Sequence, residues 1–194
     1  MTFRHVAIVG RARAGKDTVA ARLVFQHSYT RVAFADALKT AALDLDPIIR
    51  AEGTPLGVLP VRLSDLVHRH GWERCKVEHA EVRRTLQRLG EAVRRTDSGH
   101  WVRVAVQQLD TADSWGLPVV VSDVRYRNEL SALRDRGALV VRVERPGAGA
   151  GAGVAERLHV SETELDDAPA DVTITNSGTL ADLFAAVDAL PLRH

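Results

Sequence analysis

Cysteine is nearly absent from this chain of 194 residues. Cys75 stands alone, so no intrachain disulfide can form and a reducing compartment is the expected setting. Lysine is almost as scarce: only Lys16, Lys39 and Lys76 occur among the 26 basic residues, the rest being Arg. Where Arg is the default cation, a Lys invites a specific reason, because a compact ammonium differs from a planar guanidinium in shape and hydration. An excess of either charge is missing too, with 25 acidic residues and a formal net charge of +1. That balance argues against a nucleic-acid or membrane surface, whose binders carry a marked basic excess. No apolar run is long enough to cross a bilayer, and the stretch from Met1 to His5 leads into the first strand without an apolar signal region. Internal repeats are absent. The one low-complexity stretch alternates Gly and Ala from Gly147 to Gly153; it cannot build a core and reads as a flexible hinge.

What is present centres on Gly10-Arg11-Ala12-Arg13-Ala14-Gly15-Lys16-Asp17-Thr18, which reads G-x-x-x-x-G-K followed by Asp-Thr. The apolar run Val6 to Val9 precedes it as a buried parallel strand would, and Val19, Leu23 and Val24 follow at helical spacing. Strand, glycine loop and helix are the context of a phosphate-binding loop. Glycines let the loop turn tightly and bring N–H groups against phosphate oxygens, while the helix points its positive end at the same anion. Lys16 is expected to reach the outer phosphates. The usual motif has Ser or Thr directly after the Lys as a magnesium ligand; here Asp17 holds that position and Thr18 follows.

Taken in order, the first helix is expected to end near His27 and a second strand to cover Thr30 to Ala35. Asp36 then reads as the N-cap of a helix running toward Leu45. Pro47 to Pro60, with three Pro and two Gly, reads as an irregular loop. Ser64 to His70 and Trp72 to His79 read as short helical pieces. Val82, Leu86, Leu89 and Val93 mark a clear amphipathic helix, with Arg83, Gln87 and Glu91 on a neighbouring stripe. A turn at Asp97 to His100 leads into a helix through about Leu109. Pro118 to Val124 reads as a buried strand carrying Asp123 at its carboxyl end, where open α/β sheets bind ligands. A helix from Asn128 to Arg136, a strand from Ala138 to Glu144, a last strand from Asp171 to Thr175 and a closing helix through Leu190 complete the series. Five strands alternating with helices predict an α/β fold with a parallel sheet, as one domain over residues 1–194. Residues 36–113 form a substrate-binding helical region of that domain, and 146–166 a flexible lid.

These parts suit phosphoryl transfer, which needs a held donor triphosphate, magnesium bridging its oxygens, and positive groups over the moving phosphoryl. Lys16 and the loop would hold the donor; Asp17, Thr18 and Asp123 could orient magnesium; Arg125, Arg127 and Arg157 could supply charge. The Arg-rich stretch from Arg83 to Arg95 suggests a second anionic ligand, which a small-molecule kinase needs and a hydrolytic switch does not. A hinged lid before Arg157 would exclude water. His68, His70, Cys75 and His79 suggest metal ligands at first sight, but no second close Cys or His pair completes a tetrahedral zinc set.

Gly-Lys-Asp-Thr, the run Phe34-Ala35-Asp36-Ala37-Leu38-Lys39, the run Arg83-Arg84-Thr85-Leu86-Gln87-Arg88-Leu89-Gly90 with Trp101 downstream, the run Ser122-Asp123-Val124-Arg125-Tyr126, and His159-Val160-Ser161-Glu162 together resemble the phage-type deoxynucleoside monophosphate kinases. The resemblance runs through almost the whole chain. It implies a P-loop kinase fold, a five-stranded parallel sheet flanked by helices, and the reaction ATP plus dNMP giving ADP plus dNDP with Mg2+. It matches Asp17 and Thr18 to the active site and Asp123 to the strand-end acid; with the loop and cation reading above, the candidate catalytic residues are Lys16, Asp17, Asp123 and Arg125, and the candidate ATP contacts are Arg11, Ala12, Arg13, Ala14, Gly15, Lys16, Asp17, Thr18 and Arg157. Substrate contacts would come from Asp36, Lys39, Arg83, Arg84, Gln87, Gly90 and Trp101, and Mg2+ would meet Asp17, Thr18 and Asp123. Arg83 and Arg84 offer donor forks matched to a monophosphate, Gln87 can donate and accept at a base edge, and Trp101 could stack on base or sugar. Family members often have Ser where this chain has Ala14, so a hydroxyl contact to phosphate is missing. The expected partners are nucleotides, without nucleic acid or membrane, and a homodimer is left open. The expected location is the cytoplasm, that of the host if the protein is phage-encoded. The rival readings are a P-loop kinase for another phosphorylated acceptor, of phosphomevalonate or dephospho-coenzyme A type, and an ATP-binding regulator without kinase activity.

Overall fold

The computed structural model describes residues 3–55, 57–147 and 163–193. Arg157 and most of the expected lid lie outside the described residues. By its internal contacts the chain divides into two compact units, Met1–Phe34 with Val102–His194, and Ala35–Trp101. The second unit has a hydrophobic core of its own.

The first unit is built on strands β1 (Val6–Val9), β2 (Thr30–Val32), β5 (Val119–Val121), β6 (Leu139–Glu144) and β7 (Val172–Thr175). They form one sheet in the order β2-β5-β1-β6-β7, and every neighbouring pair is parallel. β1 is central and buried along its whole length. Successive side chains of a strand alternate between faces, and here both faces are covered. Val6 and Ile8 pack on one side with Leu23 of helix α1 (Lys16–His27) and with Leu183 and Val187 of the closing helix, here α7 (Leu180–Asp188). Ala7 and Val9 pack on the other with Leu109 of α5 (His100–Ser114) and with Leu130 and Leu133 of α6 (Arg127–Arg134). Burying each such aliphatic side chain contributes about 1.5–3 kcal/mol. The five-stranded parallel sheet is the one expected from sequence, and the P-loop kinase fold with it.

The second unit contains most of α2 (Phe34–Leu45), the strands β3 (Ile48–Thr54) and β4 (Gly57–Arg62), and helices α3 (Leu63–Glu78) and α4 (Ala80–Thr96). Its core joins Ala42, Ile49, Val61, Leu63, Leu66, Cys75, Val82 and Leu86. β3 and β4 pair antiparallel where the sequence suggested an irregular loop. Only Ile49 and Val61 of this hairpin are buried, so it offers no hydrophobic alternation to read. Pro60 is tolerated because a two-stranded ribbon consists of edges. Gly71 breaks α3 with φ 71°, which accounts for the two helical pieces expected there.

Other boundaries shift for local reasons. β2 stops at Val32 and α2 begins at Phe34, so Asp36 lies in the first helical turn rather than at the N-cap. The Phe34 N–H donates to Asp123 Oδ1 at 3.1 Å, a partner distant in sequence. β5 ends at Val121, which leaves Ser122 to Tyr126 as a loop between strand and α6. Among the described residues no helix is long and apolar enough to cross a membrane.

Candidate functional site

The loop between β1 and α1 has the backbone that its glycines predict. Gly10, Arg13 and Gly15 take positive φ values of 138°, 64° and 109°. At Gly10 the requirement is steric as well, since a Cβ there would stand 2.2 Å from the carbonyl oxygen of Val143 in the neighbouring strand. Gly15 serves as N-cap of α1 and contributes no side-chain cap. The first N–H groups of α1 thus remain donors for an anion, with the helix dipole behind them. Lys16 Nζ lies over the loop and donates to the carbonyl oxygens of Gly10 at 2.5 Å and Arg11 at 2.9 Å.

A cleft opens beside this loop at the carboxyl end of the sheet, lined by Gly10, Lys16, Arg125, Arg142 and Asp166 among others. Two elements bring cations to it. Arg125 belongs to the loop after β5, which is fixed by Glu129: this buried carboxylate accepts the N–H groups of Arg125 at 2.9 Å and Tyr126 at 3.2 Å. Arg142 projects from β6 and donates through Nη2 to the carbonyl oxygens of Leu165 at 2.9 Å and Ala168 at 2.6 Å. An acidic stretch lies over the same region. Asp166 accepts two hydrogen bonds from Arg11, at 2.7 and 3.3 Å, and these bonds first, with charge second, hold the Arg11 guanidinium more firmly protonated. Asp167 accepts from Arg127 at 2.7 and 2.9 Å, which keeps its carboxyl below the ordinary range. The Arg127 N–H donates to Glu164 at 2.8 Å.

Asp17 and Ser122 meet across the gap between α1 and the end of β5, where the Ser122 hydroxyl donates to Asp17 Oδ1 at 3.3 Å. The bond joining these elements falls to Asp17 rather than to Thr18. Asp123, on the same strand-end loop, spends Oδ1 on the start of α2. The carboxylate of Asp17 beside a hydroxyl is a hard oxygen pair of the kind Mg2+ uses, since that ion takes one or two carboxylates and completes its shell with phosphate oxygens and water. Among the described residues no group of three or more His, Cys, Asp or Glu could hold a metal unaided. Asp17 and Ser122 are thus the residues whose chemistry fits such an ion.

The remaining residues singled out from sequence lie in the second unit. Lys39 Nζ bonds Asp36 at 3.1 Å, one helical turn away. On α4, Arg83 and Gln87 are half-buried and Gly90 is buried, and their spacing puts them on one face. Arg84 is exposed and pairs with Glu81 at 2.7 Å, so the two arginines are not equivalent. Trp101 is 4% exposed, and its indole N–H donates to the Gly90 carbonyl of α4 at 3.4 Å.

Three residues that line or support the cleft were missed by sequence reasoning. Glu129 stands three residues after Tyr126, the spacing of a capping box, and could have been found. Arg142 interrupts the apolar run Leu139 to Val143, itself a signal. Asp166 sits in a plain acidic stretch and gave none.

Residues 68–187 match the family described as deoxynucleotide monophosphate kinase. The deoxynucleotide monophosphate kinase of Enterobacteria phage T4 is 35% identical over 109 residues, covering 55% of this chain and 43% of that one. The enzyme of the same description from Escherichia phage RB69 is 30% identical over 112 residues, covering 56% and 44%. The matched stretch thus spans less than half the length of these relatives. Among solved structures, dephospho-CoA kinase from Campylobacter jejuni superposes with a TM-score of 0.52 at 10% identity over 95% of this chain and 94% of that one, a likeness of fold alone.

Proposed function

We propose, because the chain belongs to the deoxynucleotide monophosphate kinase family, that it transfers the γ-phosphoryl group of ATP to a deoxynucleoside monophosphate, giving ADP and a deoxynucleoside diphosphate. The observation that carries this reading is the placement of Lys16, held over the glycine loop at the edge of a cleft that also draws on Arg125 and Arg142. Phosphoryl transfer asks for positioned positive charge more than for covalent chemistry. A triphosphate entering the loop would replace the carbonyl partners of Lys16 with phosphate oxygens, a stronger charge-assisted bond. Gly15 and the first turn of α1 would supply N–H donors to the same group. Arg125, held by Glu129, would face the phosphoryl group in transfer. Asp17 with Ser122 would hold Mg2+ or its waters, with Asp123 or Thr18 contributing from beside them, and the ion would supply positive charge to offset that of the phosphates. Arg157 would add charge from the lid.

For the acceptor, Arg83 is the favoured monophosphate ligand, with Gln87 on the same face of α4 for the base edge and Gly90, buried against Leu38, letting the helix pack closely beside them. Arg84, Lys39 and Asp36 would take secondary parts at the phosphate or sugar. The single cysteine, buried and with its thiol pushed up mainly by desolvation, suits a reducing cytoplasm. A panel assay tests the acceptor class: ADP release is measured with Mg-ATP and dNMPs, ribonucleoside monophosphates, phosphomevalonate or dephospho-coenzyme A. Stimulation by at least one dNMP is expected. Stimulation confined to a non-nucleotide acceptor would reassign the enzyme, and stimulation by none would remove it from the kinases of these acceptors.

A further inference from the structure

Asn176 stands just past β7 and is used by none of the roles above, yet its contacts converge on the phosphate loop. Its backbone N–H donates to the Glu144 carbonyl at 2.6 Å, which ties the ends of β6 and β7 together. Its side-chain Nδ2 donates to the Ala14 carbonyl at 2.9 Å. The same nitrogen lies 2.6 Å from where a Cβ on Gly15 would stand, so the amide rests directly against the Gly15 α-carbon. A carbonyl oxygen only accepts, so the NH2 end of the amide must be the one that faces Ala14.

In a trans peptide the carbonyl of one residue and the N–H of the next point in opposite directions, and the described chain contains no cis bond. A hand on the Ala14 carbonyl therefore aims the Gly15 N–H away from β7. Gly15 is free to occupy other backbone regions, so nothing local holds this peptide plane. An external tether is what a glycine at this position requires. We propose that Asn176 is a positioning residue which, by holding the Ala14 carbonyl, fixes the Ala14–Gly15 peptide plane so that the Gly15 N–H meets a phosphate oxygen of the bound nucleoside triphosphate. The proposal rests on reading the loop as the donor site, and it assigns to Asn176 an effect on donor binding and none on the acceptor.

The test compares the wild type with Asn176→Ala, which removes the donor, and Asn176→Asp, which keeps the shape but turns an acceptor toward an acceptor. Titration with a non-hydrolysable ATP analogue needs no acceptor and no turnover, so it reads this proposal even if the kinase reading fails. Both variants are expected to weaken analogue binding about tenfold or more, the order of one hydrogen bond to a buried carbonyl. The KM for the acceptor should stay within about twofold of wild type, and the unfolding midpoint should fall by no more than the loss of one hydrogen bond accounts for. Unaltered analogue binding in Asn176→Ala would overturn the proposal. So would donor and acceptor constants that weaken together with the unfolding midpoint, which would mark Asn176 as a plain structural clasp. A wild type that fails to bind the analogue would overturn it as well.

Discussion

At the scale of single residues, the phosphate loop is where chemistry and sequence coincide most closely. Gly10 is fixed twice over, by its φ of 138° and by the Val143 carbonyl that would meet any Cβ. Lys16 is one of three lysines in a chain that otherwise uses Arg, and its ammonium fits between two loop carbonyls where a planar guanidinium would not. Asp17, the departure from the common motif, reaches Ser122 across the sheet's carboxyl end. Asp17→Asn keeps a group able to pair with the Ser122 hydroxyl while removing the negative charge that would hold magnesium. We expect turnover to fall on the order of a hundredfold, the scale of losing one aligned electrostatic contact, with the ATP-analogue Kd changed by less than about threefold. Steady-state kinetics beside an equilibrium titration check this, and near-normal turnover would move the metal to Thr18 or Asp123. What sequence could not supply at this scale are residues whose roles exist only in three dimensions. The burial of Trp101 and its bond to the Gly90 carbonyl are of this kind.

At the scale of elements, the buried strands and the strongly periodic helix α4 could be read directly, because each has a face whose burial shows in the residue pattern. The hairpin β3–β4 could not, since it lies mostly in solvent and carries Pro and Gly that ordinarily punctuate loops. The start of α2 was misplaced because its cap, Asp123, lies in another part of the chain. Element contacts of this sort also set pH behaviour. Asp188 at the end of α7 accepts from Arg22 at 2.6 and 3.0 Å and pairs with His27 at 2.8 Å, both residues of α1. The Arg22 bonds first, and His27 second, lower its carboxyl from 3.8 to about 2. A carboxyl lowered in the folded state stabilises that state above its unfolded pKa, and the contribution is lost as pH falls through the folded value. The wild type should therefore lose the α1–α7 clasp between roughly pH 4 and pH 2, read by urea unfolding at each pH. Asp188→Asn should be less stable at pH 7, and the two proteins should converge at the acid end. Because the carboxylate is open to solvent and screened, the difference at pH 7 should be modest.

At the scale of the whole molecule, two compact units carry different parts of the expected chemistry. The unit of the parallel sheet holds the loop, Asp17, Ser122, Asp123 and the cleft cations; the unit from Ala35 to Trp101 holds Arg83, Gln87 and Gly90 on α4. The fold class was legible because five apolar runs alternate with helical patterns around one glycine loop, and that order leaves few topologies. The compactness of the second unit was not, because its core draws on α2, the hairpin, α3 and α4, and no single one of these declares it. A protein that only hydrolysed or sensed ATP would have no use for the second anion site proposed on α4, so the central claim is transfer to an acceptor. The measurement that tests it most directly follows the label from γ-labelled ATP in the presence of Mg2+ and each deoxynucleoside monophosphate in turn. The account predicts labelled deoxynucleoside diphosphate in a one-to-one ratio with ADP for at least one acceptor. Label appearing only as free phosphate, or ADP forming at the same rate whether or not an acceptor is present, would contradict it.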